Sequence, residues 1–525
     1  MAKRRKNKKE EYEDQLLKAG LAGAQAETIQ RYGSAVKEHV VAYTGKDNET
    51  GQKLAKGLKD IAKSKLNPND RERNIKQQAG FAAEVKTTAC ENAEKIIRGD
   101  RTSKVIRTDD MSKQPDGRGH TIGGKNEQLY DVAEVWTDGS YIAGTGRQLK
   151  YVGRDPESCY NKLIGKKFNK YRDADVQIEI PSDFYDGVQE KLKARKLDLE
   201  KQIADARRKG DSLRIQNHQE QLERVKKTEK LLRKGKLTNA EAIEARKHAE
   251  ISTAKDIGKI SHRAGIESAK YGIIIGGSVS IVRNAVAVAS GDKDFEDAVL
   301  DVAKDTATSG VISYGTSFVG ATLKGVMQNA PSGTVQALSK TNLPGVVVTV
   351  AMSAATTLKR YYDGEIDGVQ CLESLGEQGT GMISSALFAT IGQAVIPVPV
   401  IGGMIGGMLG YAIASASYGT LLSALKEADL AAQEREYIEQ VCEEQIQLIR
   451  EYRREVEELI AKYLTTNMDI FHDAFSGIKS ALEIGDVDGI ITSSNQITEA
   501  LGKKALFNNM DELELLMASS ATIKI

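Results

Sequence analysis

Charge is distributed along this chain in blocks, and that distribution limits what it can fold into. Lys, Arg, Asp and Glu are dense up to about Ala264, then thin out into four uncharged runs, 271–282, 306–323, 341–358 and 378–425. Apolar surface left in water costs roughly 25 cal/mol per Å², so each run needs a cover of protein or lipid. The last run is divided near its middle by IPVPVIGG, where Pro397 and Pro399 must break a helix and the following glycines let the chain turn. Each half then has about 20 residues, close to what a helix needs to cross the roughly 30 Å apolar core of a bilayer. Gly402, Gly406 and Gly410, with Ala414, recur at four-residue spacing, the pattern of a glycine zipper, which lets helices approach closely. A membrane-inserting hairpin and a hairpin buried in a helical domain both satisfy this pattern. Arg283, Lys324 and Lys359-Arg360 flank or interrupt the earlier runs, which argues against an ordinary multispanning protein and for an interfacial or conditionally inserted hairpin.

Composition narrows the rest. With 525 residues the chain exceeds the size of one hydrophobic core, so two to four domains are expected. An aromatic content of 5%, 8 prolines and 48 glycines favour helices packed through small residues over a β-sandwich. Cys90, Cys159, Cys371 and Cys442 show no CxxC spacing, which removes a disulfide framework and fits a reducing cytoplasm. The basic opening MAKRRKNKKEE is not followed by an apolar stretch of the kind a secretory signal carries; it reads as a solvated tail, with nucleic-acid or anionic-lipid contact as the alternative. The predicted location is therefore cytoplasmic, with association at the inner face of the cell membrane if the apolar hairpin meets lipid.

The predicted fold class is α+β, mostly helical. Residues 1–66 read as a polar helical segment, and 67–183 as a small α/β domain. The latter has a helix around NIKQQAGFAAEVKTTACENAEKII, a turn-rich stretch containing RTDDMSKQPDG, and strand-like runs LYDVAEVW and YIAGTGRQLKYVG meeting at Asp138-Gly139, a dipeptide suited to a hairpin turn. A third strand-like run, ADVQIEI, ends at Pro181. Residues 184–262 predict a charged helical hairpin broken at Lys209-Gly210-Asp211, 263–425 a glycine-rich apolar helical region, and 426–525 amphipathic helices with near-heptad apolar spacing, suited to self-association.

Six scattered histidines without HExxH spacing argue against a histidine metal site, and no GxxxxGK[ST] loop is present. One constellation carries chemistry: Glu84 on the helix, Asp131 at the start of one strand, and Gln148 and Lys150, two apart and so on one face of the next. Phosphodiester hydrolysis needs a hard cation held by oxygen ligands, an activated water and a cation near the developing negative charge. A turn centred on Asp138-Gly139 puts Asp131 nearly opposite residue 146, so Gln148 comes within reach only if the register slips or a bulge intervenes.

This arrangement resembles the PD-(D/E)xK nuclease superfamily, with Glu in GFAAEV, Asp in LYDV and QLK in the E/Q-x-K position. The resemblance implies Mg²⁺ held by Asp131, Gln148 and Glu84, with Lys150 assisting the nucleophile or stabilising the transition state. It covers about residues 67–183, and the amide at Gln148 replaces the commoner carboxylate. The expected function is a metal-dependent endonuclease acting on nucleic acid, DNA before RNA, coupled to an apolar module and suited to antiviral defence in bacteria. The alternatives are a non-catalytic, pore-forming membrane effector and a self-associating helical scaffold.

Overall fold

The computed structural model describes residues 25–340, except 126, 290–292, 294 and 330–332, together with part of 454–518. The hairpin carrying Pro397, Pro399, Gly402, Gly406 and Gly410 lies outside the described residues, as does most of the near-heptad helix that follows it. In chain order the described helices used below are α1 (25–44), α2 (Leu58–Ala62), α3 (Arg71–Ile97), α4 (Pro156–Leu163), α5 (Asn169–Asp173), α6 (Ser182–Arg208), α7 (Ser212–Leu231), α8 (Asn239–Lys247), α9 (Ala249–Ala289) and α10 (Phe295–Gln328). The principal strands are β1 (Ser103–Arg107), β2 (Val132–Trp136), β3 (Arg147–Leu149), β4 (Gln177–Ile180) and β5 (Leu232–Lys234). The described residues are mostly helical, with a five-stranded mixed sheet and a two-stranded ribbon (Gln114–Pro115 with Thr121–Ile122), an α+β arrangement.

The sheet follows chain order, β1-β2-β3-β4-β5. The first three strands pair antiparallel, whereas β4 and β5 run parallel to β3. A parallel neighbour needs a long return. The chain supplies α4 and α5 before β4, and the α6–α7 hairpin before β5. That hairpin breaks at Lys209–Asp211, where Gly210 takes φ +67. Alternation in VAEVW and QIEI divides the strands between two faces. Val105, Val132 and Leu149 pack with Ala79 and Ala83 of α3, while Ala133, Val135, Ile178 and Ile180 pack with α4 and with Phe184, Val188 and Leu192 of α6.

Helix α3 is fixed against the sheet by its own signals. It ends where Gly99 takes φ +79, and the N–H groups of Gly99 and Asp100 return to the carbonyls of Ile96 and Lys95, a Schellman closure. Asn92 on its sheet-facing side donates to Val105 O at 2.9 Å and accepts from Val105 N at 2.7 Å, so one side chain satisfies both backbone groups of an edge-strand residue. Strands β1 and β5 were not apparent in the sequence; SKVIR and LRK are too short and too charged to stand out beside turns and helices.

A second core joins α1, α3, α9 and α10 through Tyr32, Val36, Val40, Val85, Ile257 and Phe318. The uncharged run 306–323 lies on α10; protein buries its stretch 313–318, while Val311 and Ile312 stay exposed. Its small polar residues pair with α9: Ser261 with Thr322 at 2.8 Å, Ser268 with Ser317 at 2.5 Å, and His262 Nδ1 with the Tyr314 hydroxyl at 2.7 Å. Lys324, which ends the run, is 2% exposed and donates to Ser34 on α1 at 2.6 Å. Among the described residues no helix is long and apolar enough to cross a membrane.

Glycines on α10 set the helix spacing, because a Cβ at Gly320 would collide with Ile29 and one at Gly325 with Val36. Overpacking of this kind typically costs about 1–3 kcal/mol. We expect Gly320→Val to lower stability by about 2 kcal/mol, read as a lower urea midpoint with an unchanged slope; an unchanged midpoint would show that α1 does not pack on α10.

Candidate active site

The β2–β3 connection decides which residues meet. Val135 bridges Tyr141 close to the Asp138-Gly139 turn, but farther along Val132 pairs with Arg147. Three residue steps on β2 therefore face six on the other side, and the surplus forms a bulge over Ile142–Thr145. Its geometry is tied internally: the Tyr141 hydroxyl accepts from Gly144 N at 3.1 Å and Gly146 N at 3.2 Å, and Thr145 Oγ1 donates to Ile142 O at 2.7 Å and accepts from Glu134 N at 3.0 Å. Gly144 takes φ +83, a conformation that strains a residue bearing a Cβ. The register shift puts Gln148, rather than residue 146, opposite Asp131.

Asp131 is held on both sides. Its N–H donates to Arg147 O at 2.8 Å, and its carbonyl accepts from Thr108 N at 2.9 Å. Its carboxylate Oδ2 accepts from Leu149 N at 2.8 Å and from Gln148 Nε2, and lies 3.8 Å from Lys150 Nζ. Gln148 is 3% exposed, and its Oε1 has no hydrogen-bond partner. With the amide nitrogen committed to Asp131, that oxygen is a buried acceptor lacking a donor, an arrangement that normally carries a cost. Glu84 approaches from α3, and Glu91, two turns on and on the same face, receives Arg147 at 2.8 Å. Asp131, Gln148 and Lys150 thus meet at one end of the sheet, and the Glu84 carboxyl is near enough to feel the charges of Asp131 and Lys150.

The electrostatics join them into one system. Burial and then the Asp131 charge push the Glu84 carboxyl up to about 8, against the pull of Arg107 and Lys150. Burial also raises Asp131, although Lys150, Leu149 N–H and the Gln148 amide favour its ionised form. Lys150 is lowered, again chiefly by burial, with Asp131 and Glu84 opposing and Lys170 assisting. Two buried carboxyl groups facing each other resist double ionisation. A divalent cation would relieve that repulsion and could use Gln148 Oε1, and carboxylate and amide oxygens suit a hard ion such as Mg²⁺. The residues present fit such an ion.

Two groups escaped sequence reading. Asp109, just past β1, adds negative charge felt by both Glu84 and Asp131. Arg107, 4% exposed and paired with Asp110 at 2.7 Å, supplies a fixed positive charge that favours ionised Glu84. RTDD carries the signal, but it could be used only once SKVIR was known to be a strand. Tyr171 is a third addition: Lys150 Nζ lies 5.2 Å and Lys170 Nζ 4.9 Å from its ring centroid, at cation–π range.

Among the described residues, His39, Cys90 and Asp256 are the one group of three His, Cys, Asp or Glu side chains that converges, with ligand atoms within 4.8 Å of one another. Lys86 Nζ already sits 2.7 Å from Asp256 Oδ2 and donates to Ser252 at 2.6 Å. Burial pushes the Cys90 thiol up and His39 down. The protein therefore supplies its own cation here, beside a neutral thiol and imidazole.

In metal-free buffer the folded protein keeps the Glu84 proton to about pH 8, while the unfolded chain releases it in the ordinary carboxylate range. The stability this contributes is full in acid and is lost as pH rises through about 8. We expect Glu84→Gln to melt near wild type at about pH 5 and several degrees above it at about pH 9. A gap independent of pH would contradict the raised carboxyl. No protein-family model, curated protein or solved structure matches this chain.

Proposed function

We propose that the chain is a metal-dependent nuclease that hydrolyses phosphodiester bonds, with DNA as the first substrate to test. The observation that carries the reading is the convergence of Asp131, Glu84 and the unpartnered Gln148 Oε1 beside Lys150. Asp131, Gln148 and Glu84 would hold Mg²⁺. When bound, the ion polarises a phosphoryl oxygen and eases deprotonation of a water. Lys150 would take the proton: burial lowers its ammonium, and Asp131 and the Tyr171 ring hold Nζ in place. The mixed sheet supports this reading, because it fixes the backbone at Asp131 and Leu149 before any ligand arrives.

Coupling to an apolar, membrane-associated module and a role in antiviral defence belong to the same proposal and rest on the sequence of 378–425. Self-association through the C-terminal helices, the basis of the alternative scaffold reading, rests on the apolar spacing after residue 426.

In an assay on plasmid DNA and on single-stranded RNA, wild type should cleave DNA only with Mg²⁺ or Mn²⁺, and Asp131→Ala should abolish cleavage. General-base assistance contributes roughly 10²- to 10⁴-fold. Lys150→Ala and Lys150→Arg should therefore both lose about 100-fold or more, since arginine keeps the charge but cannot accept a proton. Rates should rise with pH through the lowered Lys150 ionisation and then level. Activity retained in Lys150→Arg would assign Lys150 to charge stabilisation; absence of metal-dependent cleavage would remove the nuclease reading.

A further inference from the structure

The bulge that sets the β2–β3 register also walls a cleft of about 180 Å³, whose lining includes Arg118, Tyr130, Tyr141, Gly144, Lys230 and Arg233. We propose that this cleft binds the phosphate group of a nucleotide or of a nucleic-acid strand. It uses none of Asp131, Gln148, Lys150 or Glu84, so it stands apart from the nuclease reading.

Three exposed cations, Arg118, Lys230 and Arg233, meet here, and none has a carboxylate within ion-pair distance among the described residues. The two guanidinium groups are instead held by neutral acceptors. Arg118 Nη1 donates to the carbonyl of Asp175 at 3.0 Å, and Arg233 Nε donates to Gln177 Oε1 at 3.2 Å. Each arginine is oriented while its charge and its remaining N–H groups stay available, the condition for forked recognition of a phosphate. The lining includes one carboxylate, Asp175, against three cations, so the cleft keeps a positive balance.

The supports are built into the fold. Asp116, 2% exposed, accepts from Arg118 N at 2.7 Å, His120 N at 2.9 Å and the Tyr130 hydroxyl at 2.9 Å, which locks the Arg118 loop onto the wall. Asp175 is the one non-glycine residue with positive φ among the described residues, at 54°. This left-handed turn presents the carbonyl that Arg118 binds, and such conformations concentrate at ligand sites. The volume is below the roughly 300 Å³ of ordinary small-molecule pockets, so a phosphate enters while the rest of its molecule remains outside. Tyr141, fixed through its hydroxyl by the bulge, offers a ring edge or face to the attached sugar or base.

The test uses full-length protein in EDTA with two probes, ADP by calorimetry and a labelled single-stranded DNA of about 12 nucleotides by anisotropy. Arg118→Gln, Arg233→Gln and the double substitution are compared with wild type; both residues are exposed, and matched melting curves establish folding. Loss of a charge-assisted contact should weaken binding about tenfold per arginine. Weakened ADP binding identifies a free nucleotide as the ligand, and weakening confined to DNA identifies strand backbone. Equal affinity of wild type and the double variant for both probes, including no measurable binding by either, would overturn the proposal.

Discussion

The register of β3 against β2 is the constraint on which the candidate site depends. Side chains in a strand alternate between faces, so a one-residue slip exchanges every group presented to a neighbour. The bulge over Ile142–Thr145 shifts the pairing so that Leu149 N–H and the Gln148 amide both reach the Asp131 carboxylate. It is held by one tyrosine hydroxyl, one threonine hydroxyl and a left-handed glycine. The same bulge shapes the wall of the cationic cleft. One local irregularity thus positions two groups of side chains that a regular hairpin would have separated.

Around that register the protein collects charges it can stabilise only in combination. Glu84 and Asp131 are both raised by burial, Lys150 is lowered, and Arg107 and Asp109 act from the end of β1. Nearby, Arg147 is bracketed by Glu91 at 2.8 Å and Glu179 at 3.3 Å, a buried cluster that ties α3, β3 and β4 together. Arg147 is ion-paired with both carboxylates, yet its Nε and Glu179 Oε1, like Gln148 Oε1 beside them, have no hydrogen-bond partner. Buried polar groups without partners concentrate where a ligand completes the site.

Much of this was legible in the sequence. The Asp138-Gly139 turn forms, with Gly139 at φ +85; Asp131, Gln148 and Lys150 meet, and Glu84 is coupled to them electrostatically. The bulge that brings Gln148 opposite Asp131 was open in the sequence only as an alternative. It depends on hydrogen bonds between side chain and backbone at Tyr141 and Thr145, which leave no periodic trace. Strand β1 was hidden because SKVIR follows a helix end and precedes a 3₁₀ turn, and Arg107 and Asp109 stayed hidden with it. The uncharged run 306–323 showed that α10 needs cover, but not by what; its Ser and Thr residues serve α9, and Gly320, with Gly325 just past the run, admits α1.

The central claim is that Asp131, Glu84 and Gln148 form a divalent-cation site. Anomalous scattering from a Mn²⁺-soaked crystal tests it most directly. A peak bonded to Asp131 and Gln148 Oε1 is expected in wild type, and it should vanish in Gln148→Leu. No peak at these residues, or one only beside His39, Cys90 and Asp256, would contradict it.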